Sequence, residues 1–346
     1  MHAMLIRPST TQQRERYNRV TLRESIFSAE QVQQHQRVVQ PEITNSILAQ
    51  LAVQALLDEV NLTPKPALVD QRGAGAHQDL SLPLMEDSAR SLYTTFLKMA
   101  TAAQRHQAID RALRAEIGAI GRLGEQQMLE RTQGVNTHRG AIWAMGLMVT
   151  ATAWLCKVAR LTDPCIPAHQ NFSVLKVCAV AGQIARIEDP YLKNNTPTSL
   201  SHGQRVQQRY GLEGAKQQAQ QGFPLISRLG WVQLQADRHR GVDEASARLN
   251  ALLRMMTVMS DTCVVHRGGL LALQRMQHGA QQVLASGGCS TLSGKAALAQ
   301  LENQLLAMNA SPGGAADLLA VLLFIDAIAA GRAWKNKEES NGNITF

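Results

Sequence analysis

The sequence predicts an all-α protein, on three observations. Aromatic residues make up only 4% of the 346-residue chain, while Ala, Leu and Gln abound, the reverse of what strands favour. From Ile43 onward apolar residues return at three- and four-residue intervals, the period of a helix face. The breaks between these stretches are rich in Pro, Gly and Asn, and no confident strand or internal repeat interrupts them. A hydrophobic content of 45% excludes a mainly disordered chain and supplies ample material for a core.

Residues 1–40 are polar and Gln/Arg-rich and read as a peripheral extension, ahead of one catalytic domain of about ten helices over 41–334 and a polar tail over 335–346. The first helix starts near Ile43, with Ile47, Leu48, Leu51 and Ala55 on one stripe. It ends near Leu62, because Pro64 and Pro66 follow. Residues 63–80, TPKPALVDQRGAGAHQDL, have no helical period, and a loop this long in a helical chain is usually functional. Helices are expected over 86–104, 106–130, 139–160 and 172–187. The polar stretch 188–203 separates them from helices over 203–221, 243–262, 266–285, 294–308 and 314–331. The apolar run Ala141–Cys156, with Thr150 and Thr152 inside it, falls short of the ~20 residues of a membrane span and reads as a buried core helix.

Lys plus Arg number 35 against 27 Asp plus Glu, a formal charge of +8 and a pI near 9.5. That balance suits a polyanionic partner. Scarce aromatics weigh against single-stranded nucleic acid, which needs stacking platforms. Five cysteines, Cys156, Cys165, Cys178, Cys263 and Cys289, form no CxxC pair, which argues against a disulfide framework or a zinc ribbon and for a reducing, cytoplasmic setting. The basic N-terminus weakly resembles a transit peptide but has no apolar core of signal-peptide length. No GxxxxGK[ST], strand-borne GxGxxG, HExxH or GxSxG motif occurs, so nucleotide chemistry here would have to use helix ends and loops.

The chemistry-bearing residues sit in the breaks. Lys65, Asp70, His77 and Asp79 share the 63–80 loop, where Gly73 and Gly75 allow positive φ or close approach to a ligand. His77 and Asp79 lie on one side of an extended segment, fit for acid–base work or metal binding. The plainer reading is a polar surface loop with Asp79 capping the next helix. In GVNTHRGAIW, residues 134–143, Asn136 or Thr137 is the expected N-cap, and His138 and Arg139 enter the first turn, where free N–H groups and cations suit phosphate. Glu125, upstream beside Gly121 and Gly124, either faces this site or is solvated. DTCVVHRGG, residues 261–269, puts an acid, His266, Arg267 and a glycine pair at a helix break. In SPGGAADLLA, residues 311–320, Ser311 is the expected N-cap and Pro312 the first helical residue. Gly313 and Gly314 leave room for a ligand, and Asp317 follows. Arg205, Tyr210, Gly214, Lys216 and Phe223-Pro224 form a weaker set, more readily a solvated basic face.

Five of these segments, KPALVDQRGAGAHQDL, GVNTHRGAIWAMGL, RYG…GA…GFP, DTCVVHRGG and SPGGAADLLA, resemble in order the triphosphoribosyl-dephospho-CoA synthases, over roughly residues 43–331. Arg139 and the IARIEDPY stretch resemble the malonate decarboxylase version more than the citrate lyase version. Cys263 departs from the Asn expected after Asp-Thr. The resemblance implies that the 2′-hydroxyl of 3′-dephospho-CoA attacks C1′ of the ATP ribose and expels adenine. The product then passes to a phosphoribosyl-dephospho-CoA transferase that loads an acyl carrier protein. Oxocarbenium character at C1′ calls for a carboxylate, the leaving adenine for an acid, the hydroxyl for a base, and the triphosphate for Mg²⁺ and cations. His77, Asp79, His138 and Asp70 are the catalytic candidates. Lys65, Asn136, Thr137, Arg139, His266, Arg267, Gly313 and Gly314 are the nucleotide-binding candidates, and Asp79, Asp317 and Glu125 the metal ligands. Neither nucleic acid nor membrane is expected as a partner, and oligomerisation stays open. The rivals are a Mg²⁺-dependent helical hydrolase of a nucleotide or ADP-ribosyl bond and a basic helical module that binds RNA or protein without catalysis.

Overall fold

The computed structural model describes residues 43–162, 172–191 and 201–331. The expected extension over 1–40, the tail over 335–346 and much of the 188–203 stretch lie outside the described residues. The described chain is helical, and its one β pairing is an isolated bridge between Asp70 and Gly73 in the long loop.

Helix α1 (Asn45–Asn61) is capped by Thr44, whose hydroxyl accepts from the Ile47 N–H. The expected single helix over 86–104 is two, α2 (Leu82–Ser91) and α3 (Tyr93–Arg105), broken at Leu92. Ser81, not Asp79, caps α2, and Pro83 in the first turn fits because that N–H has no intrahelical partner. Helix α4 (Arg111–Arg131) starts later than expected, where Asp110 accepts from Ala112 and Leu113. Helix α5 (Arg139–Thr162) follows and then α6 (Val174–Arg186). The expected helix over 203–221 is again two, α7 (His202–Tyr210) and α8 (Ala215–Gln220), because Gly211 takes a left-handed conformation at φ 68°. A π-helical segment, Leu225–Gly230, runs into α9 (Trp231–His239), and neither was expected from the sequence. Helices α10 (Glu244–Met256), α11 (Thr262–Ala285), α12 (Leu292–Ala307) and α13 (Gly313–Ala329) complete the order. Helix α11 starts at Thr262, with Asp261 as its N-cap, before the expected 266, and breaks its dihedrals at Gly269.

Helix α13 is the central element. From Leu318 to Ile328 its residues are buried on all sides, so it has no solvent face. It packs on α1, α5 and α10, and its one buried acid in that stretch, Asp326, takes two bonds from Arg238 of α9, at 2.5 and 2.8 Å. Helix α5 is long and apolar enough to cross a membrane by length and composition alone. Here it is covered by α1, α3, α6 and α13, with Met145, Met148, Val149 and Ala151 fully enclosed. The starts of α5, α11 and α13 and the 63–80 loop meet at one end of these packed helices, joined by the side chains described next.

Candidate active site

Two carboxylates tie the helix starts together. Asp261 is fully buried and caps its own helix through Cys263 and Val264 N–H, at 2.8 and 3.2 Å. Its other oxygen accepts from Ala315 N–H of α13 at 2.9 Å. Asp261 therefore does for α13 what the sequence assigned to Ser311. That expected cap is not made: α13 has no side-chain cap, and the Ser311 hydroxyl instead meets His77 Nε2 at 2.8 Å. Asp317, in the second turn of α13, accepts from the Ala141 N–H of α5. A Cβ on Gly140 would collide with Asp317 Oδ2, so glycine there is what lets α5 and α13 approach. Burial and the like charges of Glu59 and Asp261 push the Asp317 carboxyl well above its usual range.

The long loop is folded over this junction. Gly75, at φ 60°, would place a Cβ 2.5 Å from the Ala67 carbonyl oxygen, so only glycine closes that turn. Lys65 is buried, and its ammonium donates to the Glu59 carboxylate at 2.5 Å and the Glu59 carbonyl at 2.6 Å. The lysine thus neutralises a buried acid of α1 and does not face open space. Asp70 accepts from the Lys65 and Arg72 N–H groups and from the Arg72 guanidinium, which also bridges to Glu302. These bonds occupy the Asp70 oxygens and shape the loop. His77 lies between two elements: Nδ1 faces Arg267 of α11 at 2.9 Å, and Nε2 faces Ser311. Arg267 can only donate, so Nδ1 accepts and Nε2 carries the hydrogen. Burial and the Arg267 charge hold the imidazole below its ordinary value, with Asp79, at 3.6 Å and 58% exposed, opposing them.

The α5 start is arranged differently from the other two. Asn136 Oδ1 accepts from Arg139 N–H at 3.3 Å, the expected cap. Thr137 and His138 both meet Ser88 of α2, at 2.6 and 2.8 Å. His138 is 3% exposed, its Nε2 has no hydrogen-bond partner among the described residues, and burial, helped by the Lys65 charge, pushes it down to about 4. Arg139 pairs with Glu125 at 3.2 Å on the open side, where burial raises the Glu125 carboxyl. His266 is exposed near Arg205 and Arg267, and burial and these guanidiniums lower it. Gly313 lies beside Cys263, which would be 3.5 Å from an added Cβ. The structure therefore brings His77, Arg267, Ser311, Asp261, Gly314 and Asp317 to one junction. Asp70 and Lys65 support it from behind, and Asp79 stands at its exposed edge.

Sequence reasoning did not single out Glu59, Ser88 or Asp261 as individual residues. Glu59 and Ser88 lie inside helical patterns with nothing to mark them, whereas Asp261 stands in the flagged DTC segment. It also missed a second ion group. Asp189 accepts from Arg114 and Arg122 at 3.3 and 2.7 Å, with the Arg122 guanidinium 3.9 Å from the Tyr191 ring. This group fastens the segment after α6 to α4.

A divalent ion on a triphosphate takes one or two carboxylates and leaves its remaining positions to phosphate and water. Asp317, partly exposed among repelling carboxylates, has the donor chemistry for that role. Among the described residues no three His, Cys, Asp or Glu side chains are grouped to hold a metal on their own, so Asp79, Glu125 and Asp317 do not form one such cage.

Fold and junction together define an all-α protein whose reactive side chains gather at helix starts, where free N–H groups favour anions. The chain belongs to the ATP:dephospho-CoA triphosphoribosyl transferase family (CitG), which matches residues 45–336. It is 52% identical over 293 residues to a protein of Pseudomonas syringae pv. tomato named "Probable 2-(5''-triphosphoribosyl)-3'-dephosphocoenzyme-A synthase", covering 85% of this chain and 95% of that one. Proteins of the same name from Pseudomonas aeruginosa UCBPP-PA14, at 51% identity over 82% of this chain and 91% of the relative, and Azotobacter vinelandii, at 52% over 80% and 90%, are similar to it as well. No solved structure matches the chain. It is thus a transferase of this family, and the five motifs that resembled the family in sequence all fall within the matched range.

Proposed function

We propose that this enzyme moves the 5-triphosphoribosyl group of ATP onto the 2′-hydroxyl of 3′-dephospho-CoA and releases adenine. The observation that carries the reading is the junction of the α5, α11 and α13 starts under the His77 loop, in a chain matched to the family along most of its length. Helix starts and the Arg267 and Arg139 guanidiniums suit a triphosphate. Asp317 would hold Mg²⁺, which when bound neutralises phosphate charge.

His77 is the acid–base group of this proposal. While Arg267 donates to Nδ1, that nitrogen cannot take a proton. When Arg267 turns to the triphosphate, Nδ1 is released beside Asp79, and it can then accept the proton of the attacking hydroxyl, with the Asp79 carboxylate steadying the imidazolium. Asp261 and Asp317 set carboxyl oxygens behind the site, and Asp317, once a cation at the junction holds it ionised, would stabilise an oxocarbenium-like C1′. His138 has no solvent face and serves as a buried positioning residue through Ser88 and Thr137.

The product would be the precursor of the prosthetic group of an acyl carrier protein, and Arg139 and the IARIEDPY stretch favour the malonate decarboxylase client. The reducing setting is consistent with Cys178, Cys263 and Cys289 as free thiols. Incubation with ATP, Mg²⁺ and dephospho-CoA should release adenine in step with consumption of dephospho-CoA. Adenine release that needs no dephospho-CoA points to the hydrolase, and ADP or AMP without adenine rejects the transfer.

A further inference from the structure

We infer that a groove beside the junction is a seat for the adenine base of one nucleotide substrate. It has a volume of about 300 Å³ and lies between the α7–α8 connection and the residues before α11, with Leu212, Glu213, Gln218, Val258, Met259 and Ser260 among its walls. This inference rests on the nucleotide chemistry proposed above and goes beyond it by assigning a place to one base.

Two observations connect the groove to the junction. Met259 lines it, and the Met259 methyl would stand 2.9 Å from a Cβ on Gly314, in the first turn of α13. Gly214, another wall residue, would place a Cβ 3.4 Å from Thr262, the first residue of α11. The groove therefore opens next to Asp261 and its two helix starts.

Its chemistry selects a base and not a phosphate. Among the described residues no Lys or Arg lines it, and Glu213 does, so a polyphosphate would be repelled there. Leu212, Val258 and Met259 offer apolar contact to a flat ring. Gln218 carries the polar specificity: its Oε1 is buried with no hydrogen-bond partner among the described residues, so the amide must turn into the groove to meet a base. A buried unsatisfied amide is costly, and a ligand that supplies the missing bonds recovers that cost. Adenine presents an N6 amine beside a ring-nitrogen acceptor, the pair that a glutamine amide matches with its own acceptor and donor. Glu213, which already accepts from Gln221 at 3.0 Å, keeps further acceptor capacity for a ribose hydroxyl.

ATP and dephospho-CoA both carry adenine, and steady-state kinetics of the full chain separates them. In Gln218→Leu the KM for one nucleotide should rise about tenfold, the loss expected of one to two hydrogen bonds, with kcat and the other KM within about twofold. Val258→Trp, which fills the groove from its exposed side, should raise the same KM. Adenosine, which lacks phosphates, should bind the wild-type enzyme by calorimetry, compete with that same nucleotide, and bind Gln218→Leu about tenfold more weakly. Unchanged KM values for both nucleotides overturn the assignment, and so does an equal rise in both. If Gln218→Leu does not fold, Val258→Trp and the adenosine titration decide. If the wild-type enzyme releases no adenine, the transfer reading fails, while adenosine binding and its loss on Val258→Trp still judge the groove.

Discussion

His138 is neutral at pH 7 because a buried imidazole cannot be solvated when charged, and the nearby Lys65 ammonium adds repulsion. Its folded value of about 4 lies below the ordinary 6.5, so the unfolded chain takes up the proton first as pH falls. Its contribution to stability is complete above about pH 6.5 and is lost as pH falls toward 4, by up to roughly 3 kcal/mol. Urea unfolding at pH 7 and pH 4.5 should show this loss in the wild-type protein and much less of it in His138→Gln. An equal loss in both would mean that another group dominates. His77 and Asp79 make a kinetic counterpart. Asp79→Asn should lower kcat by about tenfold or more and leave the melting temperature unchanged, since Asp79 is exposed and serves only His77. At this scale the sequence marked His77, His138, Arg267 and Asp317 by type and by place in a break. It could not separate their roles, because burial decides them: His138 and Arg139 are adjacent in sequence, yet one is sealed against Ser88 and the other lies open beside Glu125.

Helix starts are the element on which the site depends. Asp261 caps α11 and reaches across to α13, so Asp261→Ala leaves N–H groups of two helices without an acceptor. It should cost about 2–4 kcal/mol in denaturant unfolding, more than an ordinary cap substitution, while Asp261→Asn, which keeps one acceptor, should cost less. Gly140→Ala tests the α5–α13 approach: the added methyl meets Asp317, and activity should fall by about tenfold or more with a smaller loss of stability. Most helices were legible from period and breaks. The misses have local causes. Leu92 and Gly211 each divide what period alone reads as one helix. The π segment and α9 escaped because their buried residues include Ser227, Gly230 and Asp237, which interrupt the apolar stripe. Ser311 looked like a cap because Ser-Pro-Gly is a common helix start; a distant aspartate took that role, and no local pattern could announce it.

At the scale of the molecule, the family matches residues 45–336, so residues 1–40 lie outside the matched range. Removal of residues 1–40 should therefore leave adenine release within about twofold of the full chain, as judged by kcat/KM; loss of activity would assign the extension a catalytic part. The basic surplus of +8 acts locally and not as a total, because Lys65 is matched to Glu59, Arg139 to Glu125, and Arg114 and Arg122 to Asp189. Arg267, held by the neutral His77 and the Ala76 carbonyl, makes no salt bridge among the described residues. By itself the sequence determined that the chain is helical, that its reactive residues stand in the breaks, and which family it resembles, because period, Pro/Gly punctuation and motif order are local properties. Only the tertiary structure decided which breaks meet, that Asp261 caps two helices, that Lys65 and Asp70 face inward, and that a groove with an unpaired Gln218 lies alongside. Those depend on contacts between residues far apart in the chain, and on desolvation, which exists only once the chain has packed.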